Sequence, residues 1–276
     1  MSDVVKVLVS IFTLVGALGI FLYGMKLLSE ALQKVAGSRM RSLLAAMTST
    51  RFKGILTGIL VTVVVQSSSA TTVMVVSFVN AGLLTLTQAV GVIMGANIGT
   101  TVTAWIISLV GFEMDMGLMA LPLLGIGVPF LFSKNNNLHA IGETVLGFSL
   151  LFLGLMFLKN SVPDLSQYPR ILEVLSHYTQ LGIWSILLFV AIGIGLTVVV
   201  QSSSATMALT LLMCANGWID FSMAAAMILG ENVGTTITAV IAASVGNTSA
   251  RQTALFHLVF NVLGVIWVLI LFSPFL

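Results

Sequence analysis

The ten-residue string TVVVQSSSAT occurs twice without a change, at Thr62–Thr71 and at Thr197–Thr206. A second pair lies at the same offset of 135 residues, GANIGTTVTA at Gly95–Ala104 and GENVGTTITA at Gly230–Ala239. Two motifs that share one offset mark a duplicated unit rather than a low-complexity stretch. The chain must therefore fold as two copies of one plan, residues 1–137 and residues 138–276, together forming one domain.

The solvent of that domain follows from charge. Of 276 residues, 58% are hydrophobic and 7% are charged, against about 25% charged in a soluble domain. So few charges cannot clothe a water-facing surface, and a lipid bilayer is the implied surrounding. A net charge of +2 suggests no nucleic-acid partner, and a single cysteine, Cys214, excludes an intramolecular disulfide and a cysteine metal cluster. The stretch Val4–Leu28 is long enough to span and is followed by no small-residue cleavage site, so it reads as part of the fold and not as a signal peptide.

Ordinary spans are expected at Val4–Leu28, Met116–Phe132, Ala140–Leu158 and Gln252–Phe272, with polar connections at Val35–Lys53 and Pro163–Thr179. Two long apolar stretches, Gln88–Val110 and Phe221–Val245, are interrupted by the GxNxGTT motifs. Gly54–Leu84 and Leu181–Trp218 are each split by QSSSA into halves too short to cross comfortably. The expected fold is an all-α polytopic membrane protein of two repeats, each with a re-entrant helical hairpin and an interrupted transmembrane helix. A hairpin that returns to its own side adds no crossing, so each copy crosses three times and the second copy is inverted. One face then holds Lys34, Arg39, Arg41, Arg51, Lys53, Lys134 and Arg251, the other Lys6, Lys159 and Arg170. The positive-inside rule makes the first face cytoplasmic and puts both termini outside.

Polar backbone at membrane depth survives only where protein or a wet cavity satisfies it. Gln66 and Gln201 are expected at the hairpin turns, with Ser67, Ser68, Ser69 and Ser202, Ser203, Ser204 opening the second arms. A helix start with free N–H groups and serine hydroxyls suits an anion. Gly99 and Gly234 are expected to let the interrupted spans unwind. Asn97, Thr100, Thr101, Asn232, Thr235 and Thr236 would then offer oxygens to a hard cation such as sodium. No Lys or Arg lies in the four motifs, so a buried anion needs co-bound cations. Ala96 of the first copy corresponds to Glu231 of the second. An acid at membrane depth is a functional candidate; Glu231 is either a sodium ligand or protonated.

Other polar residues have plainer readings. Lys26 and Glu30 pair along one helix face, Glu143 is interfacial or paired, and His139 and His177 are solvated near loops. His257 and Asn261 share a face of the last span and suggest an interhelical hydrogen bond. No nucleophile–base or metal-ligand spacing appears, and a nucleophile is needed only once, so paired serine clusters argue for binding rather than for an enzyme.

The two QSSSAT stretches, with GANIGTT at Gly95–Thr101 and GENVGTT at Gly230–Thr236, closely resemble the type II sodium–phosphate cotransporter family. The likeness runs from about Gly16 to Gly264. It implies a secondary active symporter of sodium and inorganic phosphate in the cell (inner) membrane, with sodium as coupling ion and no cofactor. Phosphate is implied at Gln66–Ser69 and Gln201–Ser204, and sodium at Asn97, Thr100, Thr101, Asn232, Thr235 and Thr236, with Glu231 as a further candidate. Animal members carry a large loop where this chain has only Gly111–Asp115. Many bacterial members continue into a cytoplasmic PhoU-like domain, so a chain ending at Leu276 is a minimal member or part of a longer one. A proton-driven cycle, another small anion and a phosphate-binding membrane sensor are the alternatives. A homo-oligomer is compatible with the sequence.

Overall fold

With no water to pair loose N–H and C=O groups, lipid-facing apolar runs close their hydrogen bonds within helices. Every regular element among the described residues is indeed helical. The computed structural model describes residues 3–46, 50–113, 116–161, 178–179 and 181–276. The helices are α1 (Asp3–Ala46), α2 (Arg51–Val65), α3 (Ser68–Asn80), α4 (Leu86–Trp105), α5 (Met116–Leu131) and α6 (Asn136–Ser161). They continue with α7 (Ile183–Val200), α8 (Ser203–Ala215), α9 (Phe221–Gly234), α10 (Thr236–Ala243), α11 (Thr248–Ile270) and the short α12 (Phe272–Phe275). α4 passes into a π-helical stretch, Ile106–Glu113.

Six helical segments are long and apolar enough to cross a membrane: Leu8–Val35, Leu86–Leu109, Asn136–Ser161, Ile183–Val200, Phe221–Ala243 and Thr248–Ile270. Three expectations change. The span expected at Met116–Phe132 is a helix of 16 residues with Pro122 and Pro129 inside. It reaches about 24 Å, short of a hydrocarbon core of about 30 Å. α7, expected to be too short, has 18 residues and is among the six. The region Val35–Lys53, expected as a connection, continues α1 as helix to Ala46. Most of Pro163–Thr179, with His177, lies outside the described residues.

Contacts divide the chain into two units that cut across the sequence repeats. The first comprises Met1–Gly37, Val64–Gln66 and Trp105–Asp164. Here α1 meets α6 through small residues: Gly24 lies against the Leu150–Leu151 backbone and Gly154 against Phe21. The expected Lys26–Glu30 pair forms at 3.8 Å. Glu143 is paired, with the Lys34 ammonium 2.7 Å from both carboxylate oxygens. His139 is less free than expected. Its Nδ1 lies 2.8 Å from the Leu131 carbonyl and its Nε2 3.5 Å from Glu143 Oε1, because one helical turn separates it from Glu143.

The second unit comprises Ser38–Val63, Ser67–Ala104 and Leu165–Leu276. It repeats its own packing residue by residue. A Cβ on Gly58 of α2 would strike the Val92 carbonyl of α4, and one on Gly193 of α7 would strike the Met227 carbonyl of α9. Gly95 meets the Ile55 carbonyl as Gly230 meets that of Val190, and Gly99 meets Ile59 and Thr62 as Gly234 meets Ile194 and Thr197. Each of these pairs is 135 residues apart. The turn after each hairpin is duplicated as well. Gly82 and Gly217 have φ of 71° and 69°, and Leu83 N–H bonds Phe78 as Trp218 N–H bonds Met213, both at 2.9 Å.

This packing corrects the expected unwinding. α4 runs unbroken through Gly95–Thr101. In the second copy the interruption is one residue, Thr235, with helical φ −58° and ψ −28°. The glycines are spent on letting two backbones approach, so their conformational freedom is not used. Across the copies, α3 packs on α10 and α11 through Val76, Ala239, Ala243, Ala250 and Ala254.

Gly230→Ala should force α7 and α9 apart, at a cost of about 1–3 kcal/mol, and lower the thermal midpoint of the detergent-purified protein by several degrees. Gly195→Ala in the same hairpin meets nothing within 4 Å and should leave the midpoint equal or higher. Equal midpoints for the two variants would contradict the close approach.

Candidate functional site

The hairpin tips are set by backbone conformation. Gln66 and Gln201 both have φ of 54°, and among the described residues no other non-glycine has positive φ. Such a residue carries about 1–3 kcal/mol of strain, which its surroundings must hold in place. The Gln201 N–H closes α7 by donating to the Thr197 carbonyl at 2.7 Å. The next residue is extended in each copy, Ser67 at φ −152° and Ser202 at φ −145°. Each serine caps the second arm: Ser67 Oγ accepts from Ala70 N–H at 3.1 Å, and Ser202 Oγ from Ala205 N–H at 3.3 Å.

The expected arrangement is therefore present at the local level, with a glutamine at each turn and serines opening each second arm. The first-turn N–H groups of Ser68, Ser69, Ser203 and Ser204 have no acceptor within their own helices. They carry the partial positive charge of the helix start. Ser68, Ser203 and Ser204 are buried, Ser69 and Gln66 half-buried, and Gln201 exposed. The capping bonds stay within their own hairpins.

The GxNxGTT threonines are also paired by symmetry. Thr100 and Thr235 donate to the Ala96 and Glu231 carbonyls at 3.1 and 2.8 Å, and Thr101 and Thr236 to those of Ile98 and Val233 at 2.7 Å. Their hydroxyl protons are thus committed to their own helices, and their oxygen lone pairs remain available as ligands. Thr100, Thr235 and Thr236 are buried, whereas Thr101 is exposed. Asn97 donates from Nδ2 to Asn261 Oδ1 at 2.9 Å, joining α4 to α11, and Asn261 donates to the His257 carbonyl at 2.8 Å. The expected interhelical bond thus comes from Asn261; the His257 ring stays out of it, its Nδ1 buried without a partner. Asn232 is half-buried on α9.

The copies differ at two places. Thr62 Oγ1 donates to Thr71 Oγ1 at 3.1 Å across the first hairpin, while its counterpart Thr197 is buried with no partner for its hydroxyl. Glu231 is 1% exposed, and its Oε1 accepts from Thr210 Oγ1 of α8 at 2.7 Å. Sequence reasoning found Glu231 and missed Thr210. The signal was available: at the common offset Thr210 corresponds to Val75, as Glu231 corresponds to Ala96. Among the described residues no three His, Cys, Asp or Glu side chains gather as a metal site, so neutral oxygens and one carboxylate are the ligands on offer.

The profile of the family described as Na+/Pi-cotransporter matches residues 20–160 and 168–274. The uncharacterized protein YqeW of Bacillus subtilis is 36% identical over 256 residues, which are 93% of this chain and 79% of YqeW. YjbB of Salmonella typhimurium, by its name a candidate inorganic phosphate export protein, is 29% identical over 97% of this chain. The chain spans about half of that relative, 48% of its length. The sodium-dependent phosphate transport protein 2A of Rattus norvegicus is 44% identical over 100 residues, 35% of this chain and 15% of that protein. No solved structure matches the chain. Six helices able to cross a bilayer and a profile match over nearly the whole sequence make this a multi-pass membrane protein, and it belongs to the Na+/Pi-cotransporter family.

Proposed function

We propose that the chain is a secondary active symporter that couples sodium entry to the movement of inorganic phosphate by alternating access. The observation that carries this reading is the duplicated tip: a left-handed glutamine, a capping serine and a helix start with free N–H groups, present once in each copy. Phosphate is bound by Gln66, Ser67, Ser68 and Ser69 of one hairpin and Gln201, Ser202, Ser203 and Ser204 of the other. Helix starts hold anions without a full positive charge, and no Lys or Arg stands in either motif. The remaining charge is offset by sodium at Asn97, Thr100, Thr101, Asn232, Thr235, Thr236 and Glu231. The names of the rat and Salmonella relatives, one sodium-dependent and both concerned with phosphate, support the same substrate.

In this reading α5 crosses a locally thinned layer and α7 turns back at its tip, so residues 1–137 and 138–276 are inverted repeats, the hairpins re-enter from opposite faces, and both termini lie outside the inner membrane. Duplicated binding motifs and the absence of a nucleophile–base spacing in the sequence fit transport rather than catalysis. Net movement follows the combined gradients, so one cycle serves uptake or export.

Proteoliposomes holding the purified protein should accumulate labelled phosphate under an inward sodium gradient and fail to do so under an equal potassium gradient. Equal uptake in the two salts would refute sodium coupling. Gln66→Gly and Gln201→Gly separate the side chain from the turn, since glycine adopts φ of 54° without strain. Each should keep the thermal midpoint and lower sodium-driven uptake by about tenfold to a hundredfold, the loss of a hydrogen bond to a charged group. Wild-type uptake in the double variant would remove both glutamines from the site.

A further inference from the structure

The last carbonyls of a helix have no partner within it, and a buried carbonyl left unpaired is costly. α2 ends in this way at Val65, a fully buried residue whose carbonyl is the last before the left-handed Gln66. The partner comes from α1. Ser29 Oγ donates to the Val65 carbonyl at 3.0 Å, and Gln33 Nε2 donates to Ser29 Oγ at 3.2 Å. Ser29 is buried, and Gln33, one turn further along α1, is half-buried. Ser29, Gln33, Val65 and Gln66 all belong to the first unit.

The direction of this chain of bonds is fixed by its donors. A serine hydroxyl has one proton and two lone pairs. With the Gln33 amide donating to the oxygen, the proton is left for Val65, and bonds in series strengthen one another. α1 is itself anchored between one and two turns before Ser29, where Gly24 lies against the Leu150–Leu151 backbone of α6. The bond reaches the turn through the peptide plane. The Val65 carbonyl and the Gln66 N–H lie in one rigid plane. Rotating that plane to release Gln66 from its φ of 54° would swing the carbonyl away from Ser29. The bond therefore opposes relaxation of a strained residue. It does so from outside the hairpin, whereas the Ser67 cap lies within it.

We propose that Ser29, oriented by Gln33, is a positioning residue for the first tip: its hydroxyl holds the Val65–Gln66 peptide and so keeps Gln66 and the serines after it aimed at their ligand. Naming that ligand phosphate rests on the symport reading; the hold on the tip does not.

Two measurements test it. In sodium-driven uptake, Ser29→Ala should raise the KM for phosphate about threefold to tenfold, the loss of one neutral hydrogen bond, and leave the maximal rate near that of the wild type. Ser29→Thr keeps the hydroxyl and should restore the KM. In a Gln66→Gly background the turn carries no strain to hold, so Ser29→Ala should add little further loss. The second measurement needs no phosphate. Cys214 is the single cysteine, so Ser69→Cys in a Cys214→Ala background reports the tip by its rate of reaction with a maleimide. Ser29→Ala should speed that reaction about threefold to tenfold, and Ser29→Thr should not. If Ser29→Ala fails to fold, Gln33→Leu, which frees the hydroxyl from its orientation, should shift both readouts the same way by about twofold. Unchanged labelling in the folded variant, or an equal KM loss in the Gln66→Gly background, would overturn the assignment. Faster labelling in a protein that neither binds nor moves phosphate would keep Ser29 at the tip and defeat the symport reading. Sodium-driven uptake with unchanged labelling would remove Ser29 and leave the symport reading standing.

Discussion

An unpaired backbone group inside a hydrocarbon layer finds no water, and in the proposed transport reading the two hairpin tips answer that constraint. At each tip the chain leaves one helix, turns in two residues and enters another. The left-handed glutamine makes the turn short, and the extended serine brings its hydroxyl onto the N–H three residues ahead. The first two N–H groups of the new helix stay open for a ligand. An anion placed there would complete what the fold leaves incomplete.

Within the second unit, close packing keeps the hairpin arms in register. Gly58, Gly95 and Gly99 bring α2 onto α4, and Gly193, Gly230 and Gly234 bring α7 onto α9 in the same way. With carbonyls filling the space a side chain would need, neither hairpin can slide by a residue along its partner helix. The first hairpin is further tied by Thr62 to Thr71, and its second arm rests on helices of the other copy. The repeat thus supplies rigidity by symmetry, and the symmetry fails in the polar contacts of Thr197, Thr210 and Glu231.

Much of this was legible in the sequence because the duplication is literal. Identical strings place Gln66 and Gln201 at equivalent turns, and the serines that follow them at equivalent openings of the second arms. Glycine was harder to read. Gly99 and Gly234 look like points of unwinding in a one-dimensional pattern, whereas their role is close approach to a helix 37 residues earlier in each copy (Thr62 to Gly99, Thr197 to Gly234). Span length misled at Met116–Phe132, since hydropathy does not register where a helix stops or how prolines sit inside it. Thr210 stayed hidden because an isolated threonine in an apolar helix carries no signal until it is set beside Val75.

The central claim is that the paired tips serve one phosphate in the presence of sodium. Calorimetric titration of phosphate into the purified chain tests it most directly. The account predicts one equivalent of phosphate per chain in sodium and none in an equal concentration of potassium. Two equivalents per chain, or the same binding in both salts, would contradict it.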